Sequence, residues 1–157
     1  MRNLGKDVTY DDIFCGLDYL DAFENGEIND YDMVVMLSMD GAQLYHNKKS
    51  DCWIYIWIVL DLVPDQRYKI CNIIPGGIVP GPNNPTHLDL FLFPGLVHLS
   101  GIQKEGLRIW DGYNKLEVLS QILLFLILAD AVGMADLSGS VGHHGKRGCR
   151  LLCRLFR

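Results

Sequence analysis

Basic charge is scarce in this sequence: 14 Lys and Arg face 19 Asp and Glu, which leaves a net charge of −5 and a pI near 5.4. Attraction to phosphate is therefore weak overall, and any nucleic-acid contact must be local or supplied elsewhere. Long apolar runs are missing as well. The longest, Ile122 to Ala129, falls far short of the roughly 20 residues that cross a bilayer, so no membrane protein is expected. Met1-Arg2 opens a polar stretch without an apolar h-region, which argues against secretion and for a reducing compartment. The five cysteines are then thiols or metal ligands rather than disulfides. Internal repeats and low-complexity tracts are absent too. What remains is a 157-residue chain, 49% apolar and 21% charged, sized and composed for one folded domain with a single core.

Along the chain, Ile13, Leu17 and Leu20 recur at helical spacing among Asp11, Asp12, Asp18 and Asp21, predicting a short amphipathic helix over 10–24. After Asn25-Gly26, the run Met33 to Asp40 is apolar almost throughout, the pattern of a strand buried on both faces. Cys52 to Val63, rich in tryptophan and β-branched residues, predicts a second strand. Pro64-Asp65-Gln66-Arg67 reads as a turn, with Tyr68 to Ile74 as a third strand, so that three strands form an antiparallel meander. Pro75-Gly76-Gly77 and Pro80-Gly81-Pro82-Asn83-Asn84-Pro85 read as a loop leaving the sheet. Thr86 could cap a helix through Leu88, Phe91, Leu92, Leu96 and Leu99, kinked or split at Pro94. A polar stretch around 110–115 precedes Leu123 to Ala129, a buried strand ending at Asp130. The expected order is strand, strand, strand, helix, strand.

Three features carry candidate chemistry. Asp40 closes an apolar run, where a carboxylate is costly to bury unless it is paired or holds a cation; turning outward at Asp40-Gly41 is the plainer alternative. Asp130 ends the last strand, with capping of the following segment as its plainer role. If the first and last strands are neighbours, both acids reach one sheet edge, and two hard oxygen donors there suit Mg²⁺ or Mn²⁺. The third feature runs from Gly142 to Cys153 and holds His143, His144, Cys149 and Cys153. Imidazole and thiolate are zinc ligands, although a complete structural site needs four, and free thiols in a basic tail are the alternative. Cys15, Cys52 and Cys71 sit in apolar segments and are expected in the core. Lys146, Arg147, Arg150, Arg154 and Arg157 form the chain's basic cluster, which could meet DNA phosphates or simply be solvated.

Leu37-Ser38-Met39-Asp40-Gly41-Ala42-Gln43-Leu44-Tyr45, followed by Lys48-Lys49-Ser50-Asp51-Cys52-Trp53, resembles the first-aspartate block of fungal CACTA-type and Kyakuja-Dileera-Zisupton-type DDE transposases. Pro75-Gly76-Gly77, Pro80-Gly81-Pro82-Asn83, Leu107-Arg108-Ile109-Trp110-Asp111, Asp130 and the stretch from His143 to Cys153 are similar to the family's next blocks, in their usual order. The resemblance covers 10–153 and implies an α/β fold with a ribonuclease-H-like mixed sheet. By that resemblance 1–32 is a helical lead-in, 33–140 a partial catalytic core and 141–157 a His/Cys knuckle with a basic tail. It further implies metal-dependent cleavage and transfer of DNA strands in the nucleus, with Asp40 and Asp130 as catalytic ligands of Mg²⁺ or Mn²⁺. His143, Cys149 and Cys153 would be zinc ligands, with His144 or a residue elsewhere as the fourth. The family's third carboxylate lies further downstream than Arg157, so the chain is expected to be incomplete at its C-terminus and inactive alone. A zinc-containing interaction module without chemistry is the rival expectation.

Overall fold

In the computed structural model, which describes residues 11–43, 51–81, 85 and 87–139, the protein is α/β, with a four-stranded mixed sheet and helices. The sheet is built from β1 (Met33–Gln43), β2 (Asp51–Val59), β3 (Ile73–Pro80) and β6 (Ile122–Ala129), in the order β3-β2-β1-β6. β1 to β3 pair antiparallel, giving the expected meander, while β6 returns parallel to β1. Between them come α3 (Leu88–Glu105) and a separate hairpin of β4 (Leu107–Asp111) and β5 (Leu116–Ser120). Two further helices, α1 (Leu17–Glu24) and α4 (Ala131–Ser138), flank the sheet, and α2 (Pro64–Arg67) is a single turn.

The apolar run of β1 is central because both of its faces are covered. Val34 and Met36 pack with Ile28, Ile58 and Leu60 on one side, where Phe14, Tyr19 and Ala22 of the lead-in close the layer. Leu37 and Met39 pack with Tyr55 and Leu92 on the other, under α3. The lead-in is fastened by Arg67, which is 7% exposed. Its guanidinium grips both Asp12 oxygens at 2.8 Å, its Nε donates to the Leu60 and Leu62 carbonyls at 2.7 Å, and it lies over the Phe14 ring. The start of β1 is fastened by Asp32, which accepts from Asn29 N at 2.8 Å and from Gln121 N at 2.9 Å. That bridge ties β1 to the residue preceding β6 and helps to fix their parallel register.

Several segments differ from expectation. Tyr68 to Ile74 is mostly not strand: a 3-10 turn covers Ile70–Asn72, held by Asn72 Nδ2 donating to Gln66 O at 2.9 Å, and Ile70 is 92% exposed. Cys71 in the same turn is exposed rather than in the core, whereas Cys52 is buried and Cys15 half-buried. The third strand lies instead in the Pro-Gly block expected to be loop. Pro75 and Pro80 are tolerated because β3 is a sheet edge, where a missing N–H need not break a ladder. Gly76 and Gly77 are there because the Tyr55 ring lies flat against them: a Cβ on Gly77 would come within 2.6 Å of that ring, and one on Gly76 would fall inside it.

Helix α3 runs unbroken through Pro94. The proline stands on the exposed face, and Leu90, whose carbonyl loses a partner, is 70% exposed, so water can satisfy that group. Its N-cap is His87, without a side-chain cap bond, and Thr86 lies outside the described residues. The polar stretch at 110–115 is a hairpin turn. Asp111 accepts from Tyr113 N, Asn114 N and Asn114 Nδ2, and the Asn114 bonds hold its carboxyl below the usual carboxylate range.

Candidate active-site edge

The carboxyl ends of β1 and β6 define the site. Their parallel register places Met39 opposite Ala129, so that Asp40 and Asp130 each follow the last shared pair on adjacent strands, whose axes in any sheet are about 4.8 Å apart. An extra residue in β6, Phe125, opposite the step from Val35 to Met36, adjusts the phase to give this match. Topology thus brings the two aspartates to one edge across 90 residues of sequence.

Asp40 does not end its strand. β1 continues to Gln43 against β2, with Asp40 opposite Ile54 and Gly41 opposite Trp53. The carboxylate is exposed, and its Oδ1 accepts from Gly41 N at 2.8 Å. The Trp53 ring lies over Gly41, where a Cβ would be 3.6 Å away. Asp130 takes the role of helix cap: its Oδ1 accepts from Gly133 N at 2.6 Å and starts α4. Gly133 is tightly enclosed, since a Cβ there would approach Asp130 Oδ1 to 3.1 Å and Met39 Cε to 3.3 Å. α4 is therefore seated against the end of β1 by the same aspartate that the parallel pairing brings there.

On the α3 side of this edge opens a pocket of about 480 Å³. Met39 and Leu88 give it an apolar base, Trp53 an aromatic wall, and His87, Asp89 and Asp136 a polar rim. Sequence reasoning missed it because its residues come from β1, β2, α3 and α4, and only the fold unites them. Asp40 is not among its lining residues, although both its chain neighbours border the pocket or its wall.

As donors, the two aspartates suit a hard divalent cation in kind, since carboxylate oxygen is the preferred ligand of Mg²⁺ and Mn²⁺. In number they are few. Among the described residues no group of three or more His, Cys, Asp or Glu could hold a metal ion. His143, His144, Cys149 and Cys153 lie outside the described residues, as does the basic tail. His98 is exposed on α3, away from the pocket lining.

Compared with known families, residues 20–155 match the model of the transposase family tnp2. The chain belongs to that family. The tnp2 match spans the whole sheet and continues through the His/Cys stretch, so the element order described above is that of a tnp2 domain. Membership implies DNA as the partner class, and no helix among the described residues is long and apolar enough to cross a membrane. No curated protein and no solved structure matches the chain.

Proposed function

We propose that this tnp2 chain carries the front of a ribonuclease-H-like DDE transposase domain of the fungal CACTA and Kyakuja-Dileera-Zisupton type, with Asp40 and Asp130 as its first two metal-binding carboxylates. The observation that carries the reading is the parallel β1–β6 pairing, which sets both acids on one sheet edge. The order β3-β2-β1-β6 supports the ribonuclease-H-like assignment. Mg²⁺ or Mn²⁺ at this edge would supply activation of a water or 3′ hydroxyl and stabilisation of the leaving oxygen. The chain's own part is to fix two carboxylates, Asp40 on a central strand and Asp130 at the N-terminus of α4, where the Gly133 bond holds its orientation. In the intact parent protein the outcome is cleavage and transfer of DNA strands, carried out in the nucleus.

The test is a Mn²⁺ titration of the chain and of Asp40→Asn and Asp130→Asn. Asparagine caps a helix about as well as aspartate, so Asp130→Asn removes charge and spares α4. Removing a group that only hydrogen-bonds a metal ligand already weakens metal sites about 10- to 100-fold, so removing a ligand charge itself should cost at least about tenfold. In the intact parent either one should abolish metal-dependent DNA cleavage. Equal Mn²⁺ affinities in all three proteins would sink the assignment. Metal binding without cleavage by the parent would favour the second reading, a non-catalytic, zinc-containing interaction module.

Zinc at His143, Cys149 and Cys153, with His144 or another residue completing the set, is the second metal proposal. Purified chain should contain about one equivalent of zinc and lose it in Cys149→Ser, because a structural site is filled and depends on thiolate. Metal analysis showing less than half an equivalent would leave the stretch as ordinary loop.

A further inference from the structure

We infer that the exposed face of the β4–β5 hairpin is an interface with a second copy of this chain. Strand alternation divides the hairpin into two faces. Val118 and Ser120 are buried and Ile109 half-buried, so that face meets the rest of the molecule, while Arg108, Trp110, Glu117 and Leu119 share the exposed one. Trp110 is 67% and Leu119 58% exposed, a large apolar exposure for a two-stranded element, which is marginal in water without cover. Leu119 is held there by its seat over Gly106, where a Cβ would come within 2.5 Å of its Cγ. What decides the occupant is the pattern of charge. Cross-strand pairing sets Arg108 beside Leu119 and Trp110 beside Glu117, so like chemistries lie on the diagonals: Trp110 with Leu119, and Arg108 with Glu117, whose charges are 3.9 Å apart. A two-fold axis laid along the Trp110–Leu119 diagonal places each of these two residues against its own counterpart and sets each Arg108 against the second copy's Glu117. The strands then cross near a right angle, one of the two ways in which sheet faces pack, and the contact is isologous. Within one chain the exposed Arg108–Glu117 pair is worth little and is free to be shared. Trp and Arg are also the residues that most often dominate interfaces. A nucleic acid fits this face less well, since Asp111 and Glu117 cancel Arg108 and Lys115 across the hairpin and leave no net attraction for phosphate. Two strands of five residues span only about 17 by 10 Å, well short of the roughly 800 Å² per partner of a stable interface, so the dimer is a weak one. The hairpin leads into the start of β6 and Asp130 follows its end, so this pairing leaves both Asp40–Asp130 edges free and does not depend on their metal reading.

The experiment is sedimentation equilibrium of the 157-residue chain from about 10 µM to about 1 mM, a range that brackets a weak dimer. Wild type should move from monomer toward dimer, and Trp110→Ala should weaken association about 30-fold, the effect of truncating a hot-spot residue. Arg108→Glu and Glu117→Arg should each stay monomeric, because each sets like charges against one another twice across the axis. Mixed in equal amounts they should dimerise again, since each then meets the opposite charge in the other. That restoration cannot come from a contact within one chain, and it shows at the same time that both variants are folded. A wild type that stays monomeric up to about 1 mM overturns the inference, as does a dimer indifferent to all three substitutions. So does a mixture that stays monomeric although thermal melts show both variants folded. A labelled single-stranded oligonucleotide whose affinity falls in Arg108→Glu and Trp110→Ala, with no dimer in its absence, would assign the face to DNA and overturn self-association.

Discussion

Gly76→Ala is expected to destabilise the protein about as much as deleting the Tyr55 side chain outright, on the order of 3–5 kcal/mol for a large buried aromatic. The reason is geometric. Tyr55 is 3% exposed, and a Cβ on Gly76 would occupy the position of its ring, so the ring has to leave. It has nowhere to go. Gly77 closes the same face of β3, Phe91 packs edge-on at 5.0 Å, Trp57 at 6.0 Å, and a Cβ on Gly95 of α3 would stand 2.7 Å from Tyr55 Oη. Ordinary overpacking costs about 1–3 kcal/mol because neighbours can shift; here they are backbone and locked aromatics. Chemical denaturation of wild type, Gly76→Ala, Tyr55→Ala and the double variant decides the matter. Both single variants should lose similar stability, and Gly76→Ala should add little once Tyr55 is gone, giving a strongly non-additive cycle. Additive losses would mean that Gly76 serves its strand and not the ring.

That pair of glycines also shows where the sequence stops being informative. Pro75-Gly76-Gly77 reads locally as loop, because the reason for glycine is a ring contributed by another strand, 21 positions earlier. The same holds for Arg67. Pro64-Asp65-Gln66-Arg67 carries a turn signature and does form a short turn, but nothing local predicts that its arginine is buried against Asp12. In contrast, β1 is legible, since its apolar run needs cover on both faces, whereas β6 is the expected strand but not a buried one: it lies at the sheet's edge with Leu126, Ile127 and Leu128 exposed. The hairpin over 107–120 left a signal that was available: Asp111-Gly112 between alternating apolar residues is a strong short-range turn pattern. At the site, both aspartates could be picked out because each ends or interrupts an apolar run. Their capping and backbone bonds, and the Trp53 pocket beside them, depend on register and on the placement of α3 and α4, which no single segment encodes.

Arg67→Ala should be the most damaging change to a charged residue, with an expected loss of about 3–5 kcal/mol, the cost of breaking a buried ion pair from one side. Removing the guanidinium leaves the Leu60 and Leu62 carbonyls without their donor, Asp12 without its cation and the Phe14 face bare. The first part of the lead-in, around Phe14 and Tyr19, would then keep its apolar packing against the sheet but not this polar clamp. With total stabilities of about 5–15 kcal/mol, such a loss shows as a large fall in melting temperature. A pH signature separates this pair from an ordinary surface contact. The Arg67 hydrogen bonds, opposed in part by burial, hold the Asp12 carboxyl below its usual 3.8. A depressed carboxylate contributes stability that is fully present above the unfolded-state value and is lost as pH falls through the folded one. Unfolding free energy of the wild type should therefore decline from about pH 5 downward, and the decline should be shallower in Asp12→Asn. That variant keeps an oxygen for the Ile13 N–H, which Asp12 Oδ1 now accepts at 2.6 Å, so the helical turn that follows is spared. A loss under about 1 kcal/mol for Arg67→Ala, the usual worth of an exposed pair, together with parallel pH curves, would show that the lead-in is held by its aromatic residues and not by this arginine.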